Sequence, residues 1–175
     1  MNDYQREQLD ALTMVRTHLG EMSDGDRRGL LQRIEPYLTF RKAVDGFLTT
    51  HFQAVCTAAC YQEQRSACCS KDGIITFFAD HVVNGLRCGD EQLAKMAETL
   101  RRENTSTKCV YLTPTGCCWT IRPLVCAMFL CDRAQETVFD GKADTQAEWE
   151  RLRTLAKGFR WPDRPVLFDT LEQTF

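Results

Sequence analysis

The sequence predicts a mainly α fold: a single helical domain, residues 1–175, with irregular cysteine-rich loops around a metal centre. Three observations carry this reading. Apolar residues recur at three- and four-residue steps over most of the chain, the spacing that puts them on one helical face. Strand-like alternation is nearly absent, with Val110-Tyr111-Leu112 the one brief exception. All ten cysteines fall between Cys56 and Cys131, and thiolates are the standard ligands of zinc and of iron–sulfur clusters.

Leu9, Leu12, Val15, Leu19 and Met22 share a face and predict a first helix, which Ser23-Asp24-Gly25 breaks. Leu30, Leu31 and Ile34 predict a short second helix. Pro36 suits the first turn of a third, with Tyr37, Phe40, Val44, Phe47 and Leu48 on one side. Residues 56–72 read as a loop carrying two cysteine clusters. Asp72 is the expected N-cap of a helix with the stripe Ile75, Phe78, Val82 and Leu86, stopped at Gly89. Asp90 caps the next helix, which turns Leu93, Met96, Ala97 and Leu100 inward and ends at Asn104-Thr105-Ser106-Thr107. From Cys109 to Cys118 the chain is expected to be irregular, with a turn at Pro114 and Gly116. Pro123 starts a helix that runs through Cys126 and Cys131, and Val138-Phe139-Asp140-Gly141 is a break. Thr145 and Glu148 have the spacing of a capping box ahead of a helix with Trp149, Leu152, Ala156 and Phe159 inward. Trp161, Pro162 and Pro165 interrupt, and Phe168, Leu171 and Phe175 predict a last short helix.

A chain of 175 residues buries roughly 70% of its unfolded surface, so it needs no metal merely to make a core. Its 43% apolar and 26% charged residues are ordinary for a globular protein. The net charge is -2, and Lys and Arg are scattered rather than clustered. A nucleic-acid partner is therefore not expected. No run of 18 apolar residues suggests a membrane span, and the polar start Met1-Asn2-Asp3-Tyr4-Gln5 lacks the apolar stretch of a signal peptide. A cytoplasmic location is the expectation. In a reducing compartment a dense cysteine set favours metal over a disulfide framework.

The cysteines form two groups about forty residues apart. The first is Cys56-x3-Cys60-x7-Cys68-Cys69, and the second is Cys109-x7-Cys117-Cys118 followed by Arg122-Pro123, Cys126 and Cys131. A helix pair between them would return the chain to its start, so that the groups meet. Soft thiolates favour zinc, copper(I) or iron–sulfur over magnesium or calcium. The spacing matches neither a zinc ribbon nor a ferredoxin run, and ten cysteines allow one site or two. Adjacent side chains point in different directions, so Cys68 and Cys69 need not serve the same site. The same holds for Cys117 and Cys118.

The segment from Cys56 through Cys60, Cys68-Cys69 and Gly73-Ile-Ile-Thr-Phe-Phe78, with Cys109, Gly116-Cys117, Arg122-Pro123, Cys126 and Cys131, resembles the YkgJ-type cysteine-cluster proteins. These are bacterial proteins described as zinc- or iron-chelating. The Gly-Cys…Arg-Pro-x-x-Cys element is its most specific part, and the likeness covers roughly residues 56–131. It implies that Cys56, Cys60, Cys69, Cys109, Cys117, Cys126 and Cys131 include the metal ligands, on a helical fold, with an iron–sulfur assignment in related proteins. Cys68 completes the candidate set. The first group is looser than the family pattern, and Arg122 is one residue nearer to Cys117, so Cys118 is an alternative to Cys117.

Arg122 beside four thiolates would offset their charge. Cys88, without a cysteine neighbour, reads as a core residue. His18, His51 and His81 are isolated. Phe77, Phe78, Phe129 and Trp119 are expected to form a dry shell around the site. Adjacent Asp80 and His81 diverge on a helix and do not read as an acid–base pair. No nucleotide-binding, zinc-protease or hydrolase motif is present. The expected function is a metal-binding protein, foremost a 4Fe–4S protein with an electron-transfer or redox-sensing role and a redox or protein partner of unspecified identity. The alternatives are a zinc-stapled interaction module and an enzyme with one open cluster iron.

Overall fold

The first helix, α1 (Asp3–Glu21), begins at a reciprocal cap. The Asn2 side chain accepts from the Gln5 N–H at 2.8 Å, and the Gln5 side chain accepts from the Asn2 N–H at 3.1 Å. The computed structural model describes residues 1–62, 68–71 and 74–159 and is mainly α throughout them. Leu12, Val15 and Leu19 are buried on one face of α1, as their spacing predicts. The expected cap at Asp72 and the last helix over Phe168, Leu171 and Phe175 lie outside the described residues.

Ser23 caps α2 (Asp24–His51), its hydroxyl accepting from the Asp26 N–H at 3.2 Å. Here the structure corrects the sequence. The expected second and third helices are one 28-residue helix with Pro36 inside it. An interior proline costs roughly 3 kcal/mol. Against that stands a buried stripe of Leu30, Ile34, Tyr37, Leu38, Val44 and Phe47 that runs past the proline on both sides. Each large apolar side chain contributes roughly 1.5–3 kcal/mol on burial, so tertiary packing outweighs the local penalty.

A short helix, α3 (Gln53–Cys56), follows and passes into a π-turn over Thr57–Tyr61. Cys56 and Cys60 therefore stand on helical backbone, not in the expected loop. Next come α4 (Phe78–Arg87) and α5 (Asp90–Arg101). Ile75 precedes α4 and is exposed, whereas Val82 and Leu86 are buried as expected. Gly89 serves as the N-cap of α5 rather than as a left-handed stop. Leu93, Met96, Ala97 and Leu100 all point inward.

The chain then forms a minimal antiparallel hairpin, β1 (Leu112–Thr113) with β2 (Gly116–Cys117). The helix expected through Cys126 and Cys131 is two: α6 (Leu124–Ala127) and α7 (Asp132–Phe139). The break has a local cause. The Gln135 side chain takes the Leu130 carbonyl at 2.9 Å, and the Cys131 carbonyl accepts from Ala134 and Gln135 to start α7. The last α-helix among the described residues, α8 (Ala143–Ala156), begins two residues before Thr145, so the expected capping box does not form. Gly141, at φ +65°, makes the turn between α7 and α8.

Two apolar clusters result. The larger joins α2, α4, α7 and α8, with Trp149 stacked on Phe47 at 5.3 Å and Phe52 edge-on to Phe139 at 5.5 Å. The smaller packs α5 and Leu12 against Val110, Tyr111 and Trp119. α1 lies close on α4 because Gly85 has no side chain. A Cβ there would stand 2.8 Å from both Val15 and Leu19. No helix among the described residues is long and apolar enough to cross a membrane.

Two buried polar side chains tie the irregular 119–123 segment to the helices. Asn84, fully buried, donates to the Ile121 carbonyl at 2.9 Å and accepts from the Ile121 N–H at 3.0 Å. Arg41, also buried, donates to the Arg122 carbonyl and to the Tyr37 hydroxyl. Removing Asn84 would leave two peptide groups without partners, at roughly 1–3 kcal/mol each. Asn84→Ala is expected to lower stability by about 2–4 kcal/mol, read as a lower denaturant midpoint at unchanged slope.

Candidate metal centre

Backbone pairing brings the two cysteine groups together. Ser70 bridges Lys108 in antiparallel fashion, Cys109 N–H donates to the Cys69 carbonyl at 2.9 Å, and Lys71 N–H donates to the Thr107 carbonyl at 2.8 Å. Asn104 shapes the approach, donating to the Lys108 carbonyl at 2.9 Å and accepting from the Ser106 N–H at 3.1 Å. The hairpin then reverses the chain at Gly116, whose φ of +113° suits only glycine comfortably. Leu112 pairs with Cys117, and Cys118 N–H donates to the Tyr111 carbonyl at 2.9 Å.

Cys68, Cys69, Cys109, Cys117 and Cys126 line one small cavity of about 60 Å³. Such a volume is roughly four times what a single water needs. Ile74, Tyr111, Trp119 and Pro123 supply its apolar walls, and Arg122 is the one charged side chain among the described residues that line it. No carboxylate and no histidine of the described residues lines it. Along an extended strand successive side chains alternate, which puts Cys117 and Trp119 on the cavity side. Cys118 faces the other way, against the α5 cluster and the Thr99 hydroxyl. Of Cys117 and Cys118, therefore, Cys117 lines the cavity and Cys118 does not.

Cys56, Cys60 and Cys131 do not line the cavity. Cys56 lies close enough to Cys60, Cys68, Cys131 and Arg122 for their charges to interact. Cys131 is the N-cap of α7. Among the described residues no three His, Cys, Asp or Glu side chains stand closely enough around one point to hold a metal ion. All ten thiols are free of disulfide bonds. Cys88 is half-buried at the end of α4 and donates to Asn84 Oδ1 at 3.4 Å, away from the cavity. Of the four expected shell aromatics only Trp119 lines the cavity, and Phe129 is exposed instead.

The electrostatics keep most of these thiols protonated. Burial pushes Cys109 up to about 11 and Cys118 up to about 12, and also raises Cys56, Cys117 and Cys126. Cys68 is the exception. The Cys69 thiol donates to it and holds it below the usual thiol range, with help from Arg122 and Lys108, while Cys69 itself rises. Arg122 also pulls down on Cys56, Cys117 and Cys126.

Behind the cavity lies a polar network that no sequence signal announced. Gln8 Oε1 accepts from Thr76 Oγ1 at 2.7 Å and from the Tyr111 hydroxyl at 3.1 Å, and meets His81 Nε2 at 3.0 Å. The Tyr4 hydroxyl meets Thr76 Oγ1 at 3.0 Å. Burial pushes His81 down to about 4, and its ring lies 4.9 Å from Trp119. Trp119 Nε1 and His81 Nδ1 are buried without hydrogen-bond partners. His51 is turned onto Phe47.

Asp80 and His81 are both buried and turn to different partners, the Phe77 N–H for Asp80 and Gln8 Oε1 for His81 Nε2. Burial raises Asp80 to about 7 despite a 2.9 Å bond from the Phe77 N–H and the nearby Arg41 charge.

Compared with protein-family models, with curated proteins and with solved structures, the chain finds no match.

Two outcomes follow from these titrations. In metal-free, reduced protein at about pH 7, iodoacetamide is expected to modify Cys68 well before Cys109 or Cys118, as read by mass spectrometry of timed digests. Asp80 titrates in the folded protein above its usual value of 3.8. Its contribution to stability is therefore complete below about pH 4 and is lost as pH rises toward about 7. Asp80→Asn should flatten the fall in stability across that window, measured by denaturant titration of metal-free protein.

Proposed function

We propose that this chain is a soft-metal protein that holds an iron–sulfur cluster, foremost of the 4Fe–4S type, and serves electron transfer or redox sensing. One observation carries the reading: five thiols from three separate segments line a single cavity in which, among the described residues, the only charged side chain is a guanidinium. Such a donor set suits zinc or iron–sulfur and is wrong for magnesium or calcium, which take oxygen ligands. The likeness to YkgJ-type proteins rests on the cysteine motif alone and points the same way.

Three further features support the reading, although the thiols would have to draw closer to grip one ion. Burial and mutual repulsion raise most of the thiols, so a cation is the natural partner that would let them ionise together. Arg122 would offset the two net negative charges that four thiolates leave on Zn²⁺ or on a 4Fe–4S core. The orphaned Trp119 N–H would find an acceptor in a ligating sulfur. Once bound, a cluster supplies one-electron chemistry, whereas zinc supplies only a staple. Ile74, Trp119 and Pro123 limit water at the site, which tunes a redox potential.

Protein purified without air is expected to be brown, absorbing near about 400 nm, with iron and acid-labile sulfide in equal amounts. Cys126→Ser should lose bound metal, and Cys88→Ser should keep it. A colourless protein with stoichiometric zinc would replace the cluster reading with that of a zinc-stapled interaction module.

A further inference from the structure

A polar cleft runs beside α1 and α5, with a volume of about 590 Å³ and no lining residue in common with the cysteine cavity. That volume falls in the range of small-molecule sites, roughly 300–1,000 Å³. Thr13, Arg16, Thr17 and Gly20 follow one another at steps of three, one and three residues, so α1 turns a single polar face to the cleft. The first turn of α2 adds Arg27, and α5 adds Asp90 at its start and Arg101 at its end. Three guanidiniums thus face one carboxylate. Arginine stays charged in proteins, so the cleft is positive although the whole chain carries a net charge of -2.

Elsewhere on the same two helices the cations are matched one turn away: Arg6 with Asp3, Lys95 with Glu91 and Arg102 with Glu98. Among the described residues no carboxylate stands within ion-pair distance of Arg16, Arg27 or Arg101. Arg27 reaches only the Leu19 and Gly85 carbonyls, at 3.5 Å each, longer than a strong N–H···O bond. Asp90 and Arg101 open and close α5, about 16 Å apart along the helix, so the one acid stands at the far end from Arg101. From these unmatched charges we infer that the cleft binds a phosphate monoester of a small, polar, non-aromatic molecule. Such a phosphate carries about -1.5 to -2 charges at pH 7 and three acceptor oxygens, which meets the excess of guanidiniums over carboxylate. Planar guanidinium forks take phosphate oxygens in pairs. Arg16 and Arg101 hold the phosphate, while Arg27 and Asp90 offer the rest of the ligand a donor and an acceptor. No aromatic side chain of the described residues lines the cleft, so it has no platform on which a nucleobase would stack.

Isothermal titration calorimetry of the full chain, purified without air, tests this with glucose 6-phosphate, inorganic phosphate and AMP. Glucose 6-phosphate is expected to bind at least as tightly as inorganic phosphate and more weakly as salt rises, with AMP no tighter than glucose 6-phosphate. Arg16→Gln and Arg101→Gln should each weaken glucose 6-phosphate by about tenfold, the loss of one charge-assisted hydrogen bond. Arg153→Gln, whose guanidinium is paired with Glu150 on α8, should leave its affinity unchanged. Arg16 and Arg101 are exposed, so both variants are expected to keep their helices, as circular dichroism checks. Absence of binding by both glucose 6-phosphate and inorganic phosphate, or equal affinity in wild type and both cleft variants, would overturn the site. AMP bound more than about tenfold tighter than glucose 6-phosphate would overturn the ligand class. The metal reading stands or falls separately, since the cleft and the cysteine cavity share no side chain.

Discussion

The pairing of the Asn84 side chain with the Ile121 peptide is the constraint on which the cysteine region depends. The segment from Cys117 to Cys126 has almost no regular structure to hold it, since a two-residue strand and a four-residue helix make few internal bonds. Its position comes from outside. Asn84 satisfies both the N–H and the carbonyl of Ile121, and Arg41 takes the next carbonyl at Arg122. Both side chains are buried on long helices of the main core. A segment with little regular structure of its own is thereby held against helices of the main core. In buried surroundings such bonds are costly to lose, because no water waits to replace them.

The helices whose partners are local were legible in the sequence. α1 and α5 follow from apolar spacing, and every inward residue assigned to α5 is buried. The failures occur where a distant contact or a single local residue overrides the pattern. Pro36 reads as a helix start, yet a stripe buried by other elements carries α2 through it. The segment from Pro123 through Cys126 and Cys131 reads as continuous helix, yet it is divided there, with the Gln135 side chain donating to the Leu130 carbonyl. Thr145 and Glu148 have capping spacing, but Gly141 turns the chain early enough for α8 to begin ahead of them.

Of the site, the sequence revealed the residue types and the meeting of the two groups, because cysteine spacing and an intervening helix pair imply both. It did not reveal which thiols share a cavity. Strand alternation after Gly116 separates Cys117 from Cys118, and that depends on a hairpin only two residues long per strand. Nor could it reveal Gln8 and Tyr4, which reach the cavity wall from a helix more than sixty residues away in the chain. Nothing in their local sequence distinguishes them from other polar residues of α1.

Gly85 gives that remote helix its reach. Because a hydrogen stands where other residues carry a carbon, α1 settles against α4 at van der Waals distance of its backbone. The same spacing determines how far Gln8 extends toward Tyr111 and Thr76. A hydrogen bond weakens within a few tenths of an ångström, so the helix–helix gap acts as a ruler for the cysteine chamber. The polarity of its rear wall is thus metered by an atom that is missing two turns of helix away from Phe78.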